Sequence, residues 1–461
     1  MTDPSAPTHA QEDSAPRSPG APRPPTGLVF AAAAVLGGIV RWWQVHGATT
    51  LEWNDTTDFL ASSRASWWSQ ELWVGSRPPL MPVVLKVVGG DLRLFIAFQC
   101  VVAALCWAAL AVAVWTVVGG RRRPYLAAGL ILAFSLTVPV VMWDQSALSE
   151  SLAVSLLALT VAAGLQVVAR PSHGAVINLL VVGAVWLTVR DSPAIVALLG
   201  GVALVGLLAV GYGRARRRGD PGPALRTPVA ALALGALVLG LAATAASSHG
   251  QRHVYPLRNV LEVRVLPYPE RVRWFADHGM PQADEFVGDD ARRPFETAGQ
   301  APVVYIPDGD PDLGPWFAWL AEDGRATFAR WVVTHPWYVV DEPLRTPERT
   351  FNNAAGDRGF YASPDQRRVP LVDRLLAPRT WVVGVAALLA IGYAIGRRRV
   401  TPALVTGAVT AALAVPHGLM AWHLDGMETA RHLMVPALQF HLGVLLVVIG
   451  LLPAAVRSGH G

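Results

Sequence analysis

Between Trp53 and Pro82 the sequence reads "WNDTTDFLASSRASWWSQELWVGSRPPLMP". Two carboxylates, Asp55 and Asp58, stand near its start, and Arg77 stands just before two prolines. A carboxylate in a partly desolvated site can act as a base. Two successive prolines force extended backbone and remove donors, so Arg77 is presented from a stiff turn. Its guanidinium carries a fork of donors suited to phosphate. The tryptophans Trp53, Trp67, Trp68 and Trp73 suit a segment lying in a lipid headgroup layer. The stretch therefore predicts short interfacial helices with the carboxylates facing inward.

Those residues need a scaffold, and composition says what kind. The chain has 461 residues, is 52% hydrophobic and only 15% charged. That balance excludes an ordinary soluble domain of this size and predicts an all-α polytopic membrane protein. The apolar runs predict about ten helices near the ~20 residues that span a bilayer. Their expected limits are 27–48, 92–118, 125–143, 150–168, 175–190, 193–213, 227–247, 380–397, 401–421 and 433–453. Net charge is +5, yet Lys86 is the only lysine and the arginines cluster between apolar runs. This is a topology signal rather than a nucleic-acid surface. The clusters Arg121 to Arg123, Arg214 to Arg226 and Arg397 to Arg399 all fall on one side if the N-terminus is cytoplasmic and the count is even.

The same assignment collects the remaining charges on the opposite, extracytoplasmic face. Asp55 and Asp58 lie in the first outer loop, 49–91. Asp144 and Glu150 lie between the third and fourth helices, Arg190 and Asp191 between the fifth and sixth, and Asp425, Glu428 and Arg431 between the ninth and tenth. Arg41 reads as the outward end of the first helix. Residues 1–26 are rich in Pro, Ser and Ala and predict a disordered cytoplasmic tail, with a second short tail at 454–461. An N-terminal module, 27–247, and a C-terminal group of helices, 379–453, flank a long polar insert, 248–378. The insert is expected to be mainly helical, with pieces at Tyr268 to Gly279, Pro315 to Gly324 and Arg325 to Pro336. Its loop "PDGDPDLGP" (Pro307 to Pro315) spaces three carboxylates partly like a calcium loop, but the turn glycine and distal glutamate do not follow in register. Cys100 and Cys106 share one apolar run, so neither a disulfide nor a thiolate metal site is expected.

In this order the motifs resemble the GT-C glycosyltransferases, polytopic enzymes that use polyprenyl-phosphate sugars. "NDTTDF…SRPPLMP" looks like that family's first loop, and "ALSESLAVSLLAL" (Ala147 to Leu159) is similar to its acidic entry to the fourth helix. "LTVRDSPA" (Leu187 to Ala194) is similar to its "TRP" turn, with Asp191 and Ser192 inserted before the proline. "METARHLMVP" (Met427 to Pro436) resembles its "ERYxxP" segment, with His432 in place of Tyr. The insert 248–378 matches nothing at motif level. The resemblance implies transfer of a sugar, with inversion, from a polyprenyl-phosphate donor to an extracytoplasmic glycan or lipid acceptor of the cell envelope. It implies Asp55 as the general base, Asp58 as an alternative, and Glu150 as an assisting or acceptor-orienting carboxylate. Arg77, Arg190 and Arg431 become the donor-phosphate ligands, with Glu428 and His432 beside them. The lipid-linked sugar phosphate is the co-substrate. Some branches of the family use a divalent metal, but the sequence shows no ligand set for one.

Each residue also has a plainer reading. Asp55 and Asp58 suit helix N-caps, and Glu150 suits a helix N-terminal dipole. Arg77 can snorkel to headgroups, Arg190 can pair with its neighbour Asp191, and Arg431 can pair with Glu428 at i−3. His423 and His432 are not spaced with carboxylates for a metal, and an interfacial role is the plainer one. Two other functions compete. A transporter or flippase of a lipid-linked or polar solute should carry ionisable residues near mid-span, at broken helices. A non-catalytic envelope scaffold should lack a cavity joining Asp55, Glu150 and Arg431.

Overall fold

The computed structural model describes residues 24–217, 227–295, 302–345, 363, 365–376, 380–397, 400–424, 426–427 and 429–451. Asp425, Glu428, Arg398, Arg399, nearly all of both terminal tails and most of the 214–226 arginine cluster lie outside these residues. The described chain is all-helical. Its only ladder pairings are two isolated bridges, Leu51 with Ser146 and Phe295 with Val303.

Among the described residues, seven helices are long and apolar enough to cross a membrane: Thr26–Val45 (α1), Leu92–Val117 (α5), Glu150–Ala169 (α8), Pro193–Arg217 (α10), Thr227–His249 (α11), Pro402–Leu424 and Thr429–Leu451. An eighth is added if Arg123–Ser135 (α6) is joined to Val138–Gln145, the start of which is Val138–Val141 (α7); the two pieces bend by 56°. The bend has a local cause. Pro139 lacks the N–H that would continue the helix ladder back to Ser135, the last residue of α6. Two more of the expected segments form shorter apolar helices, His173–Leu187 (α9) and the apolar part, Val383–Tyr393, of Thr380–Arg397. The 15 residues of α9 reach about 22 Å, less than the roughly 30 Å hydrocarbon layer. Length and composition thus support seven or eight crossings among the described residues.

The bundle core is built on α5, α6, α8 and Thr429–Leu451, with Trp107, Trp143, Phe95, Leu110 and Ile131 fully enclosed. Lipid is as apolar as leucine, so close packing holds such helices together more than burial does. Helices Pro402–Leu424 and Thr429–Leu451 show this directly. A Cβ built on Gly407 would meet the Gly443 carbonyl oxygen at 2.5 Å, so only glycine permits that crossing.

Three short helices occupy the first loop: Asn54–Ser63 (α2), Gln70–Val74 (α3) and Leu80–Val87 (α4). The insert contains Val254–Arg264 (α12), Pro269–Ala276 (α13), Gly314–Glu322 (α14), Gly324–Thr334 (α15), Pro336–Arg345 (α16) and Pro370–Leu376. It has its own apolar core of Leu257, Leu261, Phe275, Ile306, Trp316, Trp319 and Trp331. Here water is the reference phase, and each large side chain fully buried contributes roughly 1.5–3 kcal/mol.

Candidate functional site

Hydrogen bonds at Leu51, Thr56 and Leu80 tether the first loop to the rest of the site. Leu51 N donates to Gln145 O at 3.1 Å, and Ala147 N returns a bond to Leu51 O at 2.9 Å. Thr56 Oγ1, in the first turn of α2, donates to Ala147 O at 3.0 Å. These bonds set the start of α2 beside the start of α8. At the other end of the loop, Leu80 N donates to Thr188 O at 3.0 Å, which places the Pro78–Pro79 turn against the end of α9. The cap of α2 comes from Thr56, whose hydroxyl accepts from Trp53 N at 3.0 Å. The two aspartates are therefore left to other partners.

Those partners are arginines from distant parts of the chain. Arg77 binds Asp55 Oδ1 at 2.9 Å and also pairs with Asp58. Arg431 pairs with Asp55 Oδ2, and its Nε donates to Glu150 Oε1 at 2.6 Å. Arg190 Nη1 donates to the same Glu150 oxygen at 2.5 Å, and its Nη2 donates to His432 Nδ1 at 2.7 Å. The result is one chain of contacts: Asp58, Arg77, Asp55, Arg431, Glu150, Arg190, His432. Burial by itself would raise the Asp55 pKa; the charges of Arg431 and Arg77 outweigh it and hold the carboxyl at about 2.

This chain borders a cavity of about 1800 Å³. Asp55, Asp58, Arg77, Arg190, Arg431 and His432 all line it. Glu150 does not. It is fully buried behind the two arginines it binds, and its Oε2 has no hydrogen-bond partner. Glu150, expected as an assisting or acceptor-orienting carboxylate, thus stands behind Arg190 and Arg431 and not among the residues lining the cavity. Glu428 lies outside the described residues; Arg431 pairs with Glu150 and Asp55.

Other expectations change as well. Arg190 does not pair with Asp191; Arg252 does, Nη1 to Oδ1 at 3.1 Å. Asp144 does not join the cavity-facing charges. It is buried in the bundle, where Arg41 binds it at 2.5 Å and the Ser151 hydroxyl donates to it at 2.5 Å. Arg41 is itself buried and also donates to Ser135 O at 2.6 Å. The bend between α6 and α7 explains this, because it folds the segment 142–145 back against the end of α1. In the insert loop, Asp308 pairs with Arg258, and Asp310 accepts from Arg292 at 2.8 Å. His423 Nε2 donates to Val339 O at 2.9 Å. No cluster of three His, Cys, Asp or Glu side chains with metal-holding geometry occurs among the described residues. Cys100 and Cys106 are buried free thiols.

Another part of the cavity wall belongs to the insert, which matches nothing at motif level. Arg252, His253, Arg258, Asn259, Phe317 and Arg325 line it. Arg252 Nε donates to Gly75 O at 2.7 Å, tying the insert to the first loop, and its Nη2 is buried without a partner. The available signal was position: Arg252 follows the end of an apolar run by a few residues, as Arg190 does. A polar path also enters the bundle from the cavity, from Ser192 through His417 (3.2 Å) to Gln439 (2.8 Å).

Fold and site together define a class: a membrane-embedded helical protein with a large, charge-lined cavity closed on one side by a helical insert. Compared with known proteins, the chain matches no family model and no curated protein.

Proposed function

We propose that the protein is a membrane glycosyltransferase of GT-C type, moving a sugar from a polyprenyl-phosphate donor to an extracytoplasmic acceptor with inversion. The observation that carries this reading is the position of Asp55. One carboxylate at a cavity wall is held between two guanidinium groups, Arg77 and Arg431, that line the same cavity. A lipid-linked sugar phosphate already carries its leaving group. The protein must position the acceptor, remove one proton and stabilise phosphate charge.

At a pKa of about 2, Asp55 is ionised but weakly basic. The donor phosphate competes for the same arginines, since bidentate phosphate contacts suit guanidinium as well as carboxylate does. As Arg77 and Arg431 turn to phosphate, Asp55 loses the charges that depress its pKa and becomes a better base. The acceptor oxygen then bonds to the anomeric carbon, the bond from that carbon to the phosphate oxygen breaks, and the acceptor proton passes to Asp55. Polyprenyl phosphate leaves with its charge on the arginines. Glu150 keeps Arg190 and Arg431 in place throughout.

The topology proposed with this chemistry has ten crossings, counting the bent pair and the two shorter apolar helices. It puts the N-terminus and the arginine-rich stretches in the cytoplasm, the short helices of the first loop in the headgroup layer and the cavity outside. The separation of Arg121 to Arg123 from the first loop supports it, because α5 lies between them and its 26 residues extend about 39 Å. The acceptor class, a cell-envelope glycan or lipid, follows from that face.

A transporter would use a broken span and an intramembrane ion pair at its substrate site. Both features exist here, in the α6–α7 bend and in Arg41–Asp144, but neither Arg41 nor Asp144 reaches the cavity. The deciding experiment is transfer from radiolabelled polyprenyl-phosphate sugars by the purified protein. Turnover that disappears in Asp55→Asn supports transfer; binding with no turnover in the unaltered protein overturns it.

A further inference from the structure

The insert helix α16 is inside out. Its apolar residues Trp337, Val340 and Leu344 are 81%, 42% and 52% exposed. They recur at i, i+3 and i+7, so they form one stripe along the helix. Val333, in the last turn of α15, is 78% exposed. The charged residue Glu342 points the other way, buried, and pairs with Arg271 of α13. A helix folded only against water would place these residues in the reverse sense.

The orientation is fixed by buried polar contacts. Arg271 also donates to Arg264 O and stands over the Tyr338 ring at 5.2 Å. His423 donates to Val339 O, and its ring lies 5.1 Å from that of Tyr338. His423 belongs to the last turn of Pro402–Leu424, a helix long and apolar enough to cross the membrane. α16 therefore packs its buried side against the end of a membrane span and leaves its apolar stripe exposed beside that span end. Asp341 and Arg345 pair with each other on the same exposed side, which neutralises the polar edge of the helix. An apolar stripe with an exposed tryptophan at its first turn and neutralised charge on its flank matches the headgroup–acyl boundary of a bilayer.

We propose that α16 is a membrane-surface anchor. Trp337, Val340 and Leu344 enter the boundary of the leaflet nearest the cavity and hold the insert over the cavity mouth. The occupant of this face is lipid. The inference is independent of the reaction the cavity supports.

The test is site-directed spin labelling of the full chain in nanodiscs of phosphatidylcholine and phosphatidylglycerol. Both native thiols are buried in the bundle, so single variants Val340→Cys and Leu344→Cys direct the label. Asp289→Cys, on an exposed part of the insert, provides the aqueous reference. Nitroxides at 340 and 344 should favour oxygen over a water-soluble nickel reagent and report a depth roughly 5–10 Å into the boundary, while the label at 289 shows the reverse. All three side chains are exposed on the surface of the fold, so the cysteines leave it intact, and two labelled positions give independent readings. Labels at 340 and 344 that behave like the one at 289 overturn the proposal. So does shielding from both reagents, which would mean that protein rather than lipid covers the stripe.

Discussion

Asp55 and Arg431 are 376 positions apart in the sequence and are ion-paired in the fold. One comes from the first turn of α2, the other from the first turn of Thr429–Leu451. Phe59 of α2 and Met434 and Leu438 of Thr429–Leu451 lie in the same apolar core. The contact is made by the tethers at Leu51, Thr56 and Leu80 and by the buried Glu150, which holds Arg431 from behind. The two aspartates of the first loop consequently differ. Asp55 is grasped by two arginines and is mostly buried, whereas Asp58 has Arg77 alone and is 55% exposed.

That difference sets the first prediction. Asp55→Asn should lower the turnover of polyprenyl-phosphate sugar by about 10²- to 10⁴-fold, the usual worth of a positioned general base. Asp58→Asn should cost far less, because its loss leaves Arg77 still paired with Asp55. Initial rates with radiolabelled donor compare the two. Equal losses would assign the proton transfer elsewhere.

Glu150 carries a different kind of load. A single oxygen receives both Arg190 and Arg431, and the side chain has no exposure. In Glu150→Gln Arg190 loses its carboxylate partner and Arg431 loses one of its carboxylate partners. Breaking a buried pair in this way costs about 3–5 kcal/mol. Thermal unfolding in detergent should show that loss, and any remaining turnover should display a raised KM for donor, since Arg190 and Arg431 are no longer aimed. A variant as stable as the unaltered protein would contradict the arrangement.

The pH dependence of stability isolates Asp55. Its carboxyl titrates at about 2 in the fold, against an ordinary value of 3.8. The folded value is the lower one, so the ion pairs stabilise the protein above pH 3.8 and that contribution is lost as pH falls through about 2. The stability difference between the unaltered protein and Asp55→Asn should be constant above about pH 5 and shrink below about pH 4. In Arg77→Met one depressing charge is gone and the folded Asp55 pKa moves closer to 3.8, so the shrinkage still begins near pH 4 but is smaller and is complete at a higher pH. Denaturation at a series of pH values reads both curves. A difference that is flat down to pH 2 would mean that Asp55 is not held by these arginines.

Much of this architecture is legible in the residues. Apolar runs locate the long helices because a bilayer demands about 20 apolar residues in a row. Gly and Pro punctuation locates the insert helices α13, α14 and α15. Asp55, Arg77, Arg190 and Arg431 are legible as charges at the ends of apolar runs. Their pairing is not, because neighbours in sequence suggest the wrong partners: Arg190 adjoins Asp191 but binds Glu150, and Arg252 takes Asp191 instead. Asp144 reads as a surface charge for a related reason. Its sequence position gives no sign of the bend between α6 and α7 that carries it inward to Arg41. The insert wall was illegible because its residues gain meaning only from the cavity they face.

The buried pair Arg41–Asp144 allows a test of the fold that leaves the cavity alone. Asp144→Leu should leave Arg41 with only the Ser135 carbonyl among its contacts, an uncompensated buried charge costing about 3–5 kcal/mol. Arg41→Met should strand Asp144 in the same way, with Ser151 as its remaining side-chain donor. The double variant removes both charges, and apolar replacement of a whole buried pair is often neutral or stabilising. Its stability should therefore lie well above the sum of the single losses, a coupling of about 0.5–3 kcal/mol or more for residues in direct contact. Donor turnover by the double variant should match that of the unaltered protein, because neither residue lines the cavity. Additive losses in thermal unfolding would mean that Arg41 and Asp144 do not meet, and a loss of turnover in a fully stable double variant would place the pair in the reaction.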